Sequence, residues 1–403
     1  MRRRTLSWPL TEEERLLQAT AREFAQRELA PGAGQRDEDE AFDRPLFARM
    51  GQLGLTAAPF PQAVGGAGFS YLGWSLVMEE IARADMASAV CLSVHILSQY
   101  PVVTWGSAEQ RERWLGPMQT GELLGAFALT EPHAGSDAAA IRTRAVRVDA
   151  AGEALPHDAP LAQVKGYRLN GTKIWISNAP EADRYLVFAT LDPARGANAI
   201  CAFLVEKGTT GFRFGSKERK MGIRACPAAE LIFEEAVVPV ASRLGAEGQG
   251  YKIALSALAE GRISIAAACV GLAQSALEQA AAYLQQRRAF GKPLADQQGL
   301  RFTIAEMAQQ VAAARALTRT AAAAKDRGEP LAEVSSLAKW TASDAAMRVA
   351  TEAVQLFGGS GYSRDTGIER LMRDAKGAQI YEGTNQIHRL IVADEVLRRH
   401  APG

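Results

Sequence analysis

The stretch YKIALSALAEGRISIAAACVGLAQSALEQAAAYLQQRR, Tyr251 to Arg288, decides the fold. It is rich in alanine and reads as one helix, too long for an ordinary globular helix without partners. Such a helix needs a bundle around it. The small residues of SIAAACVGLAQSALEQAAA, Ser264 to Ala282, let neighbouring helices approach closely. Further helical patterns at Leu300 to Lys325, Leu331 to Leu356 and Ile387 to Arg399 supply the partners.

Upstream of this bundle the texture is different. GAFALTE, TRAVRVD, GYRLNGTKIWIS, RYLVFATL, ICAFLVEK, FRFGSK and AELIFEEAVVP are short alternating or β-branched runs separated by Gly, Pro and Asn-Gly. They read as strands, with LNGTK, Leu169 to Lys173, as a hairpin turn and AAGEALPHDAPLAQ, residues 150–163, as an exposed loop. Further upstream, Thr11 with Glu14 forms a capping-box pattern that opens an amphipathic helix. Apolar spacings of three and four recur at Phe47 to Leu55, Leu72 to Ala82, Ala87 to Tyr100 and Ala108 to Gln119. The fold class is therefore α+β and mostly helical: an N-terminal helical domain (1–125), a middle β domain (126–240) and a C-terminal helical bundle (241–403).

Composition narrows the function classes. With 403 residues, 47% hydrophobic, the chain can bury a large core. A net charge of +1 with interspersed signs gives no field for nucleic acid, and the MRRR start is the only basic run. No apolar run of about 18 residues is seen and no signal-peptide core, so no membrane span is expected and the cytoplasm is the expected location. The four cysteines, Cys91, Cys201, Cys226 and Cys269, are far apart without CxxC and read as reduced core thiols. The five histidines are scattered, so no metal site is expected; His95 and His133 read as structural or rim residues.

Familiar nucleotide motifs are missing. GGAGFSYLG at 65–73 does not give GxGxxG after a strand, and no GxxxxGK[ST] occurs. The glycine-rich QLFGGSGYSRD, Gln355 to Asp365, reads either as a backbone cradle for a pyrophosphate or as a helix C-cap followed by a turn. In KIWISNA, Trp175 and Ser177 stand two apart and by strand alternation share a face, offering a planar surface and a hydroxyl to a flat heterocycle; the plain alternative is a core tryptophan. Glu382, in QIYEGTNQIHRLIV, is a carboxylate in an apolar turn before a helix that begins near Thr384.

ALTEPHAGSD, KIWISNA, KMGIRACPAAELIFEEAVVP, QRRAFGKPLADQQ, QLFGGSGY, LMRDAK and QIYEGTNQIHRLIV, in that order, resemble the successive signatures of the acyl-CoA dehydrogenase family. The resemblance runs from the middle domain to near the C-terminus and implies the same three-domain division, with a β-barrel-like middle domain and a four-helix bundle as the C-terminal domain. It implies FAD as cofactor and Glu382 as the base that removes the pro-R α-proton of an acyl-CoA thioester while a β-hydride passes to flavin N5. Burial among Tyr381, Ile380 and the acyl chain would make the carboxylate basic enough, and the following helix N-terminus would favour its anion. The thioester carbonyl would accept from the Glu382 N–H. No metal is required.

The resemblance carries further residues. Phe127, Leu129, Thr130 and Ser136 fall near the isoalloxazine, with Trp175 and Ser177 at its far face and edge. Ser136 also falls near the pantetheine arm, and Arg262, Tyr381 and Gly383 near the substrate. Thr384 and Gln386 lie beside the base near FAD. Arg287, Phe290, Gln298, Gln355, Gly358 and Gly359 would serve the cofactor of a neighbouring subunit, which implies a homotetramer built as a dimer of dimers. Some members place the base directly before the arginine on the long helix; here Gly261 stands there, and Glu260 is turned about 100° away. A glycine at this point favours a short, straight acyl chain. His133, Ala228 and Ala259 depart from the residues common in the family and bear on CoA contacts. The electron acceptor implied is electron-transfer flavoprotein. An oxygen-reactive oxidase, a carrier-protein thioester dehydrogenase and a non-catalytic FAD-binding assembly protein are the alternatives.

Overall fold

Residues 8–156 and 159–401 are described by a computed structural model; the MRRR start, with its charge run, and residues 157–158 of the exposed loop lie outside the described residues. Helices α1 (Glu12–Phe24), α2 (Ala33–Asp39), α3 (Arg44–Gln52), α4 (Tyr71–Ala84), α5 (Met86–Trp105) and α6 (Ala108–Gln119) come first. The capping box is formed: Thr11 Oγ1 accepts from the Glu14 N–H, and the Glu14 carboxylate accepts from the Thr11 N–H. The first helical pattern continues past Phe24 as a π-helical turn, Ala25–Leu29, whereas α2 carries polar, Gly-bearing sequence and was not legible as helix.

Eight strands follow: β1 (Gly125–Ala128), β2 (Arg144–Val148), β3 (Gly166–Ser177), β4 (Arg184–Thr190), β5 (Ile200–Glu206), β6 (Phe212–Lys217), β7 (Ala228–Pro239) and β8 (Arg243–Leu244). They pair in the order β6-β7-β3-β2-β4-β5-β8, and β1 runs parallel to β4. The sheet curls onto itself. Tyr185 of β4 meets Phe212 of β6 edge-on with ring centroids 4.9 Å apart, although three strands separate them in the pairing order. Tyr167 of β3 likewise meets Phe203 of β5 at 5.0 Å.

The expected hairpin at Leu169 to Lys173 is not there: β3 runs straight through Asn170-Gly171 as one twelve-residue strand. The Asn-Gly pair makes a register shift against β7 instead. Asn170 donates through Nδ2 to Glu235 and accepts from the Glu235 N–H, and a Cβ on Gly171 would sit 2.7 Å from Thr143 Cα. A tight turn and a bulge want the same residues, and only strand pairing decides between them.

The C-terminal part contains α7 (Gly250–Gln286), the two-residue strands β9 (Arg288–Ala289) and β10 (Lys292–Pro293), then α8 (Gln298–Asp326), α9 (Ala332–Phe357), α10 (Gly359–Tyr362), α11 (Ile368–Ala378) and α12 (Asn385–Arg399). Helix α7 is buried continuously from Glu260 to Ala273 because α4, α5, α8 and α9 surround it. Close approach rests on the small residues: a Cβ on Gly271 would lie 2.1 Å from the Glu79 carbonyl of α4. Helices α5 and α7 are long and apolar enough to cross a membrane by length and composition alone, which the sequence reading did not anticipate. Of their most apolar windows, 83% and 78% are buried inside the fold, so both are core helices.

Candidate active site

Helix α11 ends at Ala378 and α12 begins at Asn385, capped by Thr384, whose Oγ1 accepts from the Ile387 N–H. Between them Glu382 and Gly383 are both left-handed, with φ of 53° and 93°. A non-glycine residue in that region is strained by about 1–3 kcal/mol and persists only where its surroundings enforce it. The turn directs the carboxylate at α7. A Cβ built on Gly261 would stand 2.4 Å from Glu382 Oε2, so the absence of a side chain at 261 is what leaves room for the acid.

Glu382 Oε2 is buried and has no hydrogen-bond partner among the described residues, and the same holds for Tyr381 Oη and Arg262 Nε. Burial pushes the Glu382 carboxyl up to about 7, with Lys339 and then Arg262 opposing it. Burial lowers Arg262 in turn, and the Glu382 charge holds it up. Arg262 is only 8% exposed, one position along α7 from Gly261, which the acid faces. Ile380 is exposed and does not enclose the carboxylate as the sequence suggested; α7 does.

Lys339 and the residues around it were missed. Lys339, on α9, is fully buried and donates from Nζ to the Gly383 carbonyl at 2.7 Å and to Asn385 Oδ1 at 3.2 Å. The available signal is its position in the stripe Ser335, Lys339, Ala342, Ala346, a helical spacing whose other members are small and buried. His388 on α12 is also buried, with neither ring nitrogen hydrogen-bonded among the described residues, and burial pushes it down to about 3.

The sheet brings the first group of predicted cofactor residues together. Phe127 lies on β1, Leu129 and Thr130 follow it, and the Thr130 carbonyl accepts from the Ile174 N–H of β3, next to Trp175. A buried ion pair fixes this junction: Lys173 Nζ contacts Glu131 at 2.7 Å and donates to the Leu129 carbonyl, while Glu131 accepts from the Arg142 and Thr143 N–H groups. Ser136 is exposed in the loop that Glu131 anchors. Trp175 has φ 58° at a second bulge of β3, so strand alternation does not govern how it stands to Ser177. Trp175 is nevertheless 55% exposed and Ser177 partly so, which core residues would not be. An exposed indole beside half-exposed hydroxyls suits a flat ring system.

Arg287, Phe290, Gln298, Gln355, Gly358 and Gly359 are all exposed and form a second group. Tyr283 stacks on Phe357 at 4.2 Å, which joins the ends of α7 and α9 that carry it. Gly358 closes α9 with φ 60°, the C-cap reading of the glycine-rich stretch. Arg287 lies about 26 residues beyond Gly261, roughly 39 Å along a helix. Gln386 is exposed at the start of α12. An open surface cavity of about 440 Å³, lined by Asn198, Tyr251, Lys252 and Ser256 among others, lies on the N-terminal part of α7. Among the described residues no group of three or more His, Cys, Asp or Glu is placed to hold a metal.

A helical unit, a sheet unit and a second helical unit, with a buried, unpartnered carboxylate inside the last of them against α7, make the arrangement of an enzyme that uses a buried acid as its acid–base group. The chain matches Acyl-CoA dehydrogenase, N-terminal domain over residues 11–122, the middle domain over 126–236 and the C-terminal domain over 248–397. It is 43% identical to an acyl-CoA dehydrogenase of Bacillus subtilis over 96% of this chain and 99% of that one. The solved butyryl-CoA dehydrogenase of Megasphaera elsdenii superposes with a TM-score of 0.92 at 41% identity, covering 98% of this chain and all of that one. A chain solved in work on the electron transferring flavoprotein of Acidaminococcus fermentans matches with a TM-score of 0.91 at 43% identity, over 98% of this chain and 100% of that chain. The chain belongs to the acyl-CoA dehydrogenase family.

Proposed function

We propose that this protein introduces an α,β double bond into a short, straight acyl-CoA thioester, with Glu382 as the base. The observation that carries the reading is the buried, unpartnered Glu382 Oε2 against Gly261 and beside Arg262, with the carboxyl pushed up to about 7. A base for a carbon-bound proton needs a pKa near the working pH and a dry site. Substrate would complete the exclusion of water. The Glu382 N–H has no backbone partner among the described residues and is free to donate to the thioester carbonyl, acidifying the α-carbon. Tyr381 and Gly383 would frame the acyl group and Ser136 the pantetheine arm.

Phe127, Leu129, Thr130, Ser136, Trp175 and Ser177, with Thr384 and Gln386, would hold the isoalloxazine end of FAD. A bound flavin supplies the two-electron acceptor for the β-hydrogen. Arg287, Phe290, Gln298, Gln355, Gly358 and Gly359 would hold the adenine-diphosphate end in a neighbouring subunit, supported by their exposure at the other end of α7. A homotetramer would cover exposed apolar side chains such as Phe290 and Phe302. Electron-transfer flavoprotein is the proposed acceptor. Domain limits at 125/126 and 240/241 belong to the same proposal, since helix gives way to strand between Gln119 and Gly125 and returns at Gly250.

The test is an anaerobic titration of the flavin-loaded protein with butyryl-, octanoyl-, isobutyryl- and isovaleryl-CoA, following the oxidised flavin band. Butyryl-CoA is expected to bleach it fastest. Glu382→Gln is expected to keep FAD and bind thioester yet lose more than about a thousandfold in reduction rate, within the range of a positioned base. A near-normal rate would move the base elsewhere.

A further inference from the structure

The loop that carries Glu382 is stapled to α9 at three points. Lys339 Nζ donates to the Gly383 carbonyl at 2.7 Å. Asn385 Nδ2 donates to Ser343 Oγ at 2.9 Å and to Asp344 Oδ1 at 2.8 Å. Gln379 Nε2 donates to the same Asp344 oxygen at 2.6 Å, so both ends of the loop hang from one turn of helix. The middle staple is made by a cation, whereas the other two end on the Asp344 carboxylate and the Ser343 hydroxyl, and it grips the residue next to the acid. Glu382 and Gly383 are the two residues in left-handed conformation, and a left-handed glutamate needs outside restraint.

We propose that Lys339 is the positioning residue of this site: its ammonium clamps the Gly383 carbonyl, holds Glu382 in its left-handed turn against Gly261, and keeps the buried acid ionised. This rests on Glu382 being the base. A fully buried ammonium is costly unless anionic or strongly polar groups compensate it, and here a carbonyl and an amide oxygen accept from it while the Glu382 and Asp344 charges act on it without direct contact. The groups facing it are Arg262 and Cys269 from α7, Asp344 from its own helix, Glu382 from the loop and His388 from α12. His388, held neutral by its burial, leaves Arg262 and Lys339 as the cations that act on Glu382. Burial lowers Lys339 to about 8, so its charge is lost on the alkaline side.

The test measures the protonation midpoint of Glu382 from the infrared carboxyl stretch that Glu382→Gln abolishes, together with the rate of flavin reduction by butyryl-CoA. In Lys339→Met the midpoint is expected to rise by about one pH unit or more, tenfold in the protonation equilibrium. Reduction at pH 7 should slow about fivefold or more and recover towards higher pH. Lys339→Arg, which keeps the charge, should return the midpoint towards wild type, whereas a merely structural lysine would leave the midpoint unmoved in both variants. A folded Lys339→Met with unchanged midpoint and rate overturns the proposal.

Should the lysine variants not fold, reciprocity supplies the reading, because coupling between two titrating groups acts equally on both. Lys339 followed by carbon-labelled lysine NMR should then titrate at lower pH in Glu382→Gln than in wild type, and equal midpoints overturn the proposal. If Glu382→Gln reduces flavin at the wild-type rate, the base assignment fails. If that variant is inactive while Lys339 and Glu382 titrate independently, only the positioning role fails.

Discussion

Gly261 and the Glu382 carboxylate compete for the same few ångströms. A methyl group at 261 would stand 2.4 Å from Oε2, far inside contact distance, and the acid sits in a turn already strained by its positive φ. We expect Gly261→Ala to fold and bind FAD, because its backbone is ordinary helix, while flavin reduction by butyryl-CoA slows by roughly tenfold to a hundredfold, as for a displaced reacting group. Stopped-flow bleaching measures this directly, and a wild-type rate would show that the carboxylate moves aside without loss. The apolar turn around it singled out Glu382, and the resemblance to the family gave it the role of base. The part played by Gly261 was legible only as a hint about acyl length, since its contact lies about 120 residues away in sequence.

Strand β3 is the element on which the proposed flavin face depends. Its two irregularities, at Asn170-Gly171 and at Ile174-Trp175, keep it in one sheet while rotating Trp175 outward. Lys173, between them, reaches into the interior to Glu131 with both side chains at most 2% exposed. Removing one partner of such a pair leaves an unpaired buried charge, so Lys173→Met should destabilise the protein by about 3–5 kcal/mol. Urea unfolding checks this, and a change below about 1 kcal/mol would mean that Glu131 is satisfied by the Arg142 and Thr143 N–H groups alone. The alternating pattern showed that this stretch was strand. It did not show the bulges, because a residue's φ is set by what the neighbouring strand allows.

At the scale of the molecule, LMRDAK is where the three parts meet. Arg373 of α11 pairs with Asp37 of α2 at 2.7 Å and donates to the Met221 carbonyl, while Asp374 accepts from the Ile223 N–H at 2.5 Å. Arg36 and Arg370 bracket Asp85 nearby. Burial pushes Asp374 up to about 7, against Arg370 and the Ile223 N–H. With a folded pKa above its unfolded one, Asp374 contributes stability that is fully present below about pH 4 and lost as pH rises to about 7. Asp374→Asn keeps an acceptor for Ile223 and removes the charge. Its stability relative to wild type should therefore climb between pH 4 and 7, reaching a plateau on the order of 2–4 kcal/mol. Denaturant titrations across that range decide it, and a difference that does not vary with pH would mean that Asp374 is ionised throughout.

Local chemistry is what the sequence by itself determined: the order of helices, strands and bundle, the need of the Tyr251 to Arg288 helix for partners, and the acid at 382 in an apolar turn. Periodicity, capping and small residues act within a few turns of chain, so they can be read there. Only the tertiary structure decided that Asn170-Gly171 is a bulge, that α7 rather than Ile380 encloses the acid, and that Lys339 and Arg262 supply the opposing charge. Each depends on groups far apart in sequence being brought into a space from which water is excluded, where a missing methyl or a single ammonium outweighs local preference.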